Sequence, residues 1–411
     1  MMKVLVAHNF YQQPGGEDQV FHSELALLER HGHKPVKFEM HNDDVRGMGK
    51  LALLGATVWH RAAADRVAEL VRAHAIDVVH FHNTFPLMSP AVYSAARDAG
   101  AAVVQTLHNF RLLCPGANLY RDGKVCEKCV GKSVPLGGVI HKCYRDNRAA
   151  SLATAVMLTA HRALGTWRDG VDAYITPTRF ARDKFIEGGL SGAKIFVKPN
   201  FVDPDPGFAE SGGAGGYAIF VGRLSHEKGL DTLLSAWSHL RGEVKLKIVG
   251  DGPLADDVKA AAARDSSIEW LGRREMDDVM ARIADAAVLV MPSNCYETFG
   301  RVAIEAFAKG TPVIASNHGA PADVVDEGRT GLRFTPGDGA DLATKVRQLL
   351  ADDARRSAMR VEVRREFETK YTGAANYEML MSIYQQARAG RPCYEDVART
   401  TGVPPVPVAR S

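Results

Sequence analysis

The sequence predicts an α/β protein made of two doubly wound, Rossmann-like domains in series, facing each other across a central cleft. Three observations predict it. Short β-branched runs alternate with helical patterns throughout the chain, which marks βαβ units and parallel sheets. The alternation breaks once, at a stretch rich in Pro, Gly and small residues that begins at Asn200, and then restarts. The length of 411 residues suits two domains, and 46% hydrophobic with 24% charged residues is ordinary globular composition.

Taken in order, strands are expected at Lys3–Ala7, Pro35–Phe38, Asp77–Phe81, Val103–Leu107, Ala173–Thr176 and Ile195–Lys198. Helices fit between them, among them Gln19–His31, Arg61–His74 and Ser89–Ala99. This gives a first domain at 1–200 and a linker at 201–216. Strands then recur at Tyr217–Val221, Lys245–Val249, Ile268–Leu271, Val288–Met291, Val313–Ala315 and Gly331–Phe334. Helices are expected at Asp231–Leu240, Ala255–Arg264, Met276–Ala284, Phe299–Ala308 and Asp341–Leu350. The second domain covers 217–371, and a last helix at 372–389 is expected to return to the first domain. The proline-rich tail 391–411 is expected to be flexible. Ligands of such sheets sit beyond the carboxyl ends of the strands, so the cleft is the place to look for chemistry.

Composition excludes some functions. A net charge of +3 carries no signal for nucleic acid. No stretch reaches about 18 apolar residues, and the apolar start Met1–His8 stops too early for a signal peptide. A cytoplasmic protein is expected. Peripheral membrane contact stays open, because residues 101–150 hold eight Lys/Arg against three Asp/Glu. The helical pattern Arg148–Trp167 has Leu152, Val156, Leu158 and Leu164 on an apolar side, with Arg162 and Arg168 available to headgroups. A core helix fits the same pattern.

The densest chemistry lies in Pro292-Ser293-Asn294-Cys295-Tyr296-Glu297-Thr298-Phe299-Gly300-Arg301, which continues through Glu305. A helix opening near Thr298–Phe299 would present free N–H groups and a positive end to an anion. Glu297 stands beside that end. Glu305 follows eight residues later, a little over two turns, on about the same side. Carboxylates so placed accept hydroxyl hydrogen bonds from two sugar rings. In Gly222-Arg223-Leu224-Ser225-His226-Glu227-Lys228-Gly229, Arg223 and Lys228 stand at a strand end facing the same anion site. Two cations there offset the charge of a departing diphosphate without a metal. Gly250 and Gly252, in Gly250-Asp251-Gly252-Pro253, allow backbone to approach a nucleotide.

These segments resemble the donor-binding motifs Glu-x7-Glu and Gly-Arg-Leu-x-x-x-Lys-Gly of the family 4 (group 1) retaining glycosyltransferases, whose fold is GT-B. The resemblance spans about 1–385 and is strongest over 217–335. It implies a donor-binding set of Arg223, Lys228, Gly250, Gly252, Glu297, Thr298, Phe299, Gly300, Arg301 and Glu305. From domain one it adds Gly15 and Gly16, in Pro14-Gly15-Gly16-Glu17, and His108, in Thr106-Leu107-His108-Asn109. His108, Glu297, Arg223 and Lys228 are the implied catalytic residues. Pro199-Asn200-Phe201-Val202-Asp203 is similar to the family's hinge, with Phe201 in place of glycine.

His80 and His82 share one face of a strand, which suits a structural or acceptor-side role, or a metal pair lacking an evident third ligand. Asp203-Pro204-Asp205 spells an Asp-x-Asp, but in a linker. Cys114, Cys126, Cys129 and Cys143 lie in an apparent insertion at 110–147. Their spacing suits a structural Zn²⁺ site, with His141 as a substitute ligand, or an iron–sulfur cluster; free buried thiols are the alternative.

The resemblance implies a metal-independent transfer, with retention, of a hexose-type sugar from a UDP- or GDP-sugar to a glycan or lipid-linked acceptor. Cell-surface polysaccharide or glycolipid synthesis is the family-level setting. A nucleotide-sugar epimerase or hydrolase of the same fold, and a non-catalytic sugar-binding member, are the competing readings.

Overall fold

The structure is a computed structural model that describes residues 2–13, 15–209 and 212–389. The first sheet contains β1 (Val4–Phe10), β2 (Val36–His41), β3 (Val78–Asn83) and β4 (Ala102–Thr106). A small hairpin, β5 (Tyr120–Arg121) and β6 (Lys124–Val125), intervenes before β7 (Ala173–Thr176) and β8 (Ile195–Val197) complete the sheet. Its order is β2-β1-β3-β4-β7-β8, parallel at every pairing. The second sheet comprises β9 (Ala218–Val221), β10 (Leu246–Val249), β11 (Ile268–Gly272), β12 (Val288–Met291), β13 (Val313–Ser316) and β14 (Gly331–Phe334). Its order is β11-β10-β9-β12-β13-β14, also parallel throughout. The direction of winding reverses between β1 and β3 in one sheet and between β9 and β12 in the other. Ligand sites of doubly wound sheets open at such reversals.

Most strands are buried on both faces, as parallel sheets covered by helices require, so they read as continuous apolar runs. Two strands run past their expected ends because polar residues continue them inside the core. His8 and Asn9 extend β1 to Phe10: His8 pairs with Asp18 at 2.7 Å and Asn9 donates to Asn42 Oδ1 at 2.7 Å. His82 and Asn83 extend β3 in the same way. Helices at Lys50–Val58, Arg179–Glu187 and Gly319–Val324 went unpredicted; Gly55 interrupts the first, and Pro321 sits in the short third.

The helix after β12 departs from expectation in a way that matters. It spans Arg301–Lys309 and does not open at Thr298–Phe299. Gly300 caps it at φ 85°, where any other side chain would strain the backbone, and a Cβ there would also displace the end of Met291. Glu297 therefore belongs to the loop, and helical periodicity does not relate it to Glu305.

Helix Asp353–Lys370 packs on domain two through Val363 and Phe367. Helix Gly373–Ala389 crosses back, placing Leu380, Ile383, Tyr384 and Ala387 in one cluster with Val4, Val6 and Phe21 of domain one. The start of the linker is packed rather than loose, with Phe201 and Val202 buried and Val202 N bonded to Tyr371 O at 3.0 Å. Both carboxylates of the Asp-x-Asp are engaged: Asp203 pairs with Arg30, and Asp205 pairs with Arg364 at 2.6 Å. The tail 391–411 lies outside the described residues.

The segment 110–147 is not a bare loop. Besides the β5–β6 hairpin it forms a short helix at Leu136–Ile140, and Phe110, Leu113, Cys114 and Leu119 anchor it in the domain-one core. Helix Arg148–Ala163 buries Ser151, Thr154, Ala155, Met157, Leu158 and His161. Leu152, Val156 and Leu164, expected beside Leu158, are exposed. Arg162 donates to the carbonyls of Lys132, Ser133 and Leu112, and Arg168 pairs with Asp169. No helix among the described residues is long and apolar enough to cross a membrane.

Candidate active site

The loops after β9 and β12 meet the loops after β1 and β4 across the cleft, which encloses about 1720 Å³ including space open to solvent. Lining it together are Gly15, Gly16, His108, Arg223, Lys228, Glu297, Thr298, Phe299, Gly300, Arg301 and Glu305.

On domain two, Lys228 Nζ lies 2.9 Å from Glu297 Oε1, and the Ser293 hydroxyl donates to the same oxygen. Burial works to raise the Glu297 carboxyl, but Lys228 and Ser293 outweigh it and hold the group below its ordinary range. His318 bonds Ser293 O at 2.8 Å and steadies this loop. Glu305 is buried on the Arg301–Lys309 helix, 3.0 Å from Arg301 Nε. Burial raises its carboxyl, partly offset by Arg301. Arg301 Nη1 is buried without a hydrogen-bond partner, a donor aimed at nothing in the protein. Arg223 is exposed in the cleft and has no carboxylate partner among the described residues. Three cationic side chains and a helix N-terminus thus surround one space.

Gly250 and Gly252 have a packing reason to be glycine. A Cβ at Gly250 would stand 1.9 Å from Gly222 O, and one at Gly252 would stand 2.5 Å from Leu224 O. Their first task is to fit the β10 loop against the β9 loop that carries Arg223. They also line an extension of the cleft with Arg223, Glu305, Arg273 and Arg274. Glu305 stands at the junction of the two compartments.

Domain one supplies the opposite wall. Gly15 caps and Gly16 begins the helix Gly16–Arg30, and Gly15 N donates to Asp18 Oδ2 at 2.7 Å. A Cβ at either glycine would meet nothing within 4 Å, so both leave room in the cleft. His108, half-buried at the end of β4, contacts His82 Nδ1 through its Nε2 at 3.0 Å. Burial first, then His82, push its imidazole well below the ordinary range, so it is neutral.

Two functional residues escaped the sequence reading. Glu17 was visible only as the acid after the two glycines. It accepts a 3.2 Å hydrogen bond from Asn109, its Oε1 is buried without a partner, and burial with Asp18 pushes its carboxyl up to about 8. Ser293, which orients Glu297, had no signal beyond its place in the loop.

His80 and His82 do meet a third ligand type, Glu24, with all three buried and their atoms within 4.8 Å of one another. Lys198 Nζ pairs with the same carboxylate through its other oxygen, 2.6 Å from Glu24 Oε1. Among the described residues, no three of the Cys114, Cys126, Cys129 and Cys143 sulfurs approach one another that closely, with or without His141. All four are free, and burial with the neighbouring thiols pushes Cys143 up to about 11.

The family model for group 1 glycosyl transferases matches residues 215–352, and that for glycosyltransferase family 4 matches residues 22–206. The two models meet at the linker and cover the second sheet and every strand of the first except β1. The chain belongs to the group 1 glycosyltransferases. Within that family it is 30% identical to glycogen synthase of Mycobacterium tuberculosis over 282 residues, covering 63% of this chain and 66% of that one. It is 34% identical to sulfoquinovosyl transferase SQD2 of Arabidopsis thaliana over 172 residues, covering 41% and 33%. The chain thus spans between a third and two thirds of the length of these curated relatives. The fold of this glycosyltransferase is GT-B. It superposes on Anabaena Alr3699/HepE in complex with UDP at a TM-score of 0.67 with 18% identity, covering 93% of this chain and 100% of that one. It also superposes on sucrose-phosphate synthase of Thermosynechococcus elongatus at 0.66 with 16% identity, covering 94% and 100%.

Proposed function

We propose that the protein transfers a hexose-type sugar, with retention and without a catalytic metal, from a UDP- or GDP-sugar to a glycan or lipid-linked acceptor. The observation that carries this is the Lys228–Glu297 pair, set beside Arg223 and the unsatisfied Nη1 of Arg301 and facing His108 across the cleft. That solved neighbours of the same fold hold UDP and UDP-glucose supports a uridine donor.

The diphosphate rests on Arg223, Lys228, Arg301 and the N–H groups at the start of the Arg301–Lys309 helix, which stabilise charge as it develops on leaving. Glu297 accepts from hydroxyls of the donor sugar and Glu305 from the ribose. The base extends past Gly252 toward Arg273 and Arg274. The acceptor enters from domain one, bounded by Gly15, Gly16 and Glu17. Its hydroxyl attacks the anomeric carbon on the face the phosphate leaves. The carbon–oxygen bond to the diphosphate breaks, the bond to the acceptor forms, and the proton passes to a phosphate oxygen. No metal is needed, because cations already surround the leaving group.

The test is a donor panel. Uridine and guanosine diphosphates, free and sugar-linked, are screened for thermal stabilisation, and those that bind are incubated with acceptor mixtures. Nucleoside diphosphate release that depends on an acceptor supports transfer. Release without any acceptor supports a hydrolase, and binding without release supports a sugar-binding protein.

A further inference from the structure

A buried chain of polar groups runs from the interdomain hinge to His108, and transfer chemistry alone does not require it. Lys198, the residue before the Pro199-Asn200 hinge, is 2% exposed and places Nζ 2.6 Å from Glu24 Oε1 and 3.0 Å from Asn376 Oδ1. Asn376 lies on the crossing helix Gly373–Ala389 and donates back to Pro199 O at 2.7 Å. The other Glu24 oxygen, Oε2, lies 3.3 Å from His82 Nε2 and 3.5 Å from His80 Nδ1, and neither Oε2 nor His82 Nε2 has a hydrogen-bond partner of its own among the described residues, which leaves the two facing each other. His82 Nδ1 lies 3.0 Å from His108 Nε2, and His108 borders the cleft. His108 Nδ1 has no protein partner among the described residues.

The geometry points to Glu24 and His82 as positioning residues that fix His108 in the tautomer with its proton on Nε2, so that Nδ1 presents a lone pair to the cleft. Lys198 keeps Glu24 a carboxylate, and a carboxylate only accepts. His82 must therefore carry its proton on Nε2, which leaves Nδ1 as an acceptor, and His108 must donate from Nε2. A second proton on His82 would reverse the last bond. The Lys198–Glu24 pair is already neutral, so that proton would place an unbalanced charge in the core.

The other groups facing this chain do not supply one. His80 is satisfied by Tyr384 and Thr106, at 2.8 and 2.7 Å, and burial keeps it neutral. His8 bonds Asp18 at 2.7 Å, and burial lowers it too. The remaining ring nitrogen, Nδ1, is thus a hydrogen-bond acceptor, matched to a sugar hydroxyl that donates. This deepens the sugar-transfer proposal and rests on it for the identity of the ligand, but not for the tautomer.

Glu24→Gln tests the relay by inverting it. Lys198 needs the amide oxygen, which leaves the amide N–H₂ facing His82 Nε2. His82 then accepts there, donates from Nδ1, and moves the His108 proton to Nδ1. Nitrogen-15 chemical shifts of histidine-labelled full-length protein read this directly, with His108 assigned by its loss in His108→Gln. The expected wild-type spectrum has a neutral His108 protonated on Nε2. Glu24→Gln moves that proton to Nδ1 and lowers kcat at least about tenfold, while the Kd for the nucleoside diphosphate is unchanged. Should Glu24→Gln not fold, the wild-type spectrum alone decides. A wild-type His108 protonated on Nδ1, or a charged His82, overturns the relay whatever the enzyme's activity. The expected tautomers without any sugar transfer would instead overturn the sugar-hydroxyl match and leave the relay standing.

Discussion

The Thr298 hydroxyl donates a 2.7 Å hydrogen bond to the backbone carbonyl of His108. Thr298 O in turn accepts from the Thr178 hydroxyl at 3.0 Å. The loop that carries Glu297 is thereby fastened to the strand end that carries the cleft histidine, in a state with the two domains touching. Thr298→Val keeps the side-chain shape and removes the donor. It is expected to lower kcat/KM by about 3- to 10-fold, the worth of one such bond. Thr298→Ser is expected to restore it, and steady-state kinetics of the two variants checks both.

Lys228 and Glu297 act as one unit. Removing either leaves a half-buried partner unmatched and empties half of the donor cradle, so each alanine variant is expected to lose about 100-fold or more in transfer rate. The double variant is expected to be little worse than either single one, which a double-mutant cycle measures. The pair also has a pH signature. A carboxyl held below its unfolded value contributes stability that is present above the unfolded value and lost as pH falls through the folded one. The unfolding free-energy gap between wild type and Lys228→Met is thus full at pH 7 and shrinks on acidification through the carboxylate range.

Glu17 has the opposite sign. Its carboxyl sits at about 8 in the fold against 4.5 unfolded, so ionising it costs stability. The cost is absent below the unfolded value, grows as pH rises toward 8, and is then constant. Glu17→Gln is expected to raise stability by about 1–3 kcal/mol at pH 8.5 and by nothing near pH 4. Thermal melts at the two pH values read the difference.

The glycines separate folding from binding. Gly300→Ala forces a side chain onto Met291 at φ 85° and is expected to cost about 1–3 kcal/mol or more. Gly15→Ala meets open space and is expected to cost less than about 1 kcal/mol, while weakening ligand binding because its methyl projects into the cleft. Melting temperatures compared with donor affinities distinguish the two.

The fold was legible because fully buried parallel strands are apolar runs whose helices carry 3.6-residue stripes. The twelve strands of the two sheets stand within three residues of their expected places. Legibility failed where polar residues went inside. His8, Asn9, His82 and Asn83 extend strands that apolar patterning ends early, and His82 among them contacts His108. Motif spacing located Glu297 and Glu305 but misplaced the helix start, because a glycine at positive φ sets that boundary and the spacing of the acids does not show it. Glu17 was hidden because its neighbours Asn109 and Arg111 come from a segment about 90 residues away.

The most direct measurement of the central claim is nucleoside diphosphate release, with a true donor and acceptor, by wild type and by Arg223→Ala and Glu297→Ala. The cleft described here predicts acceptor-dependent release by wild type and a fall of about 100-fold or more in each variant. Release by both variants at the wild-type rate would contradict it.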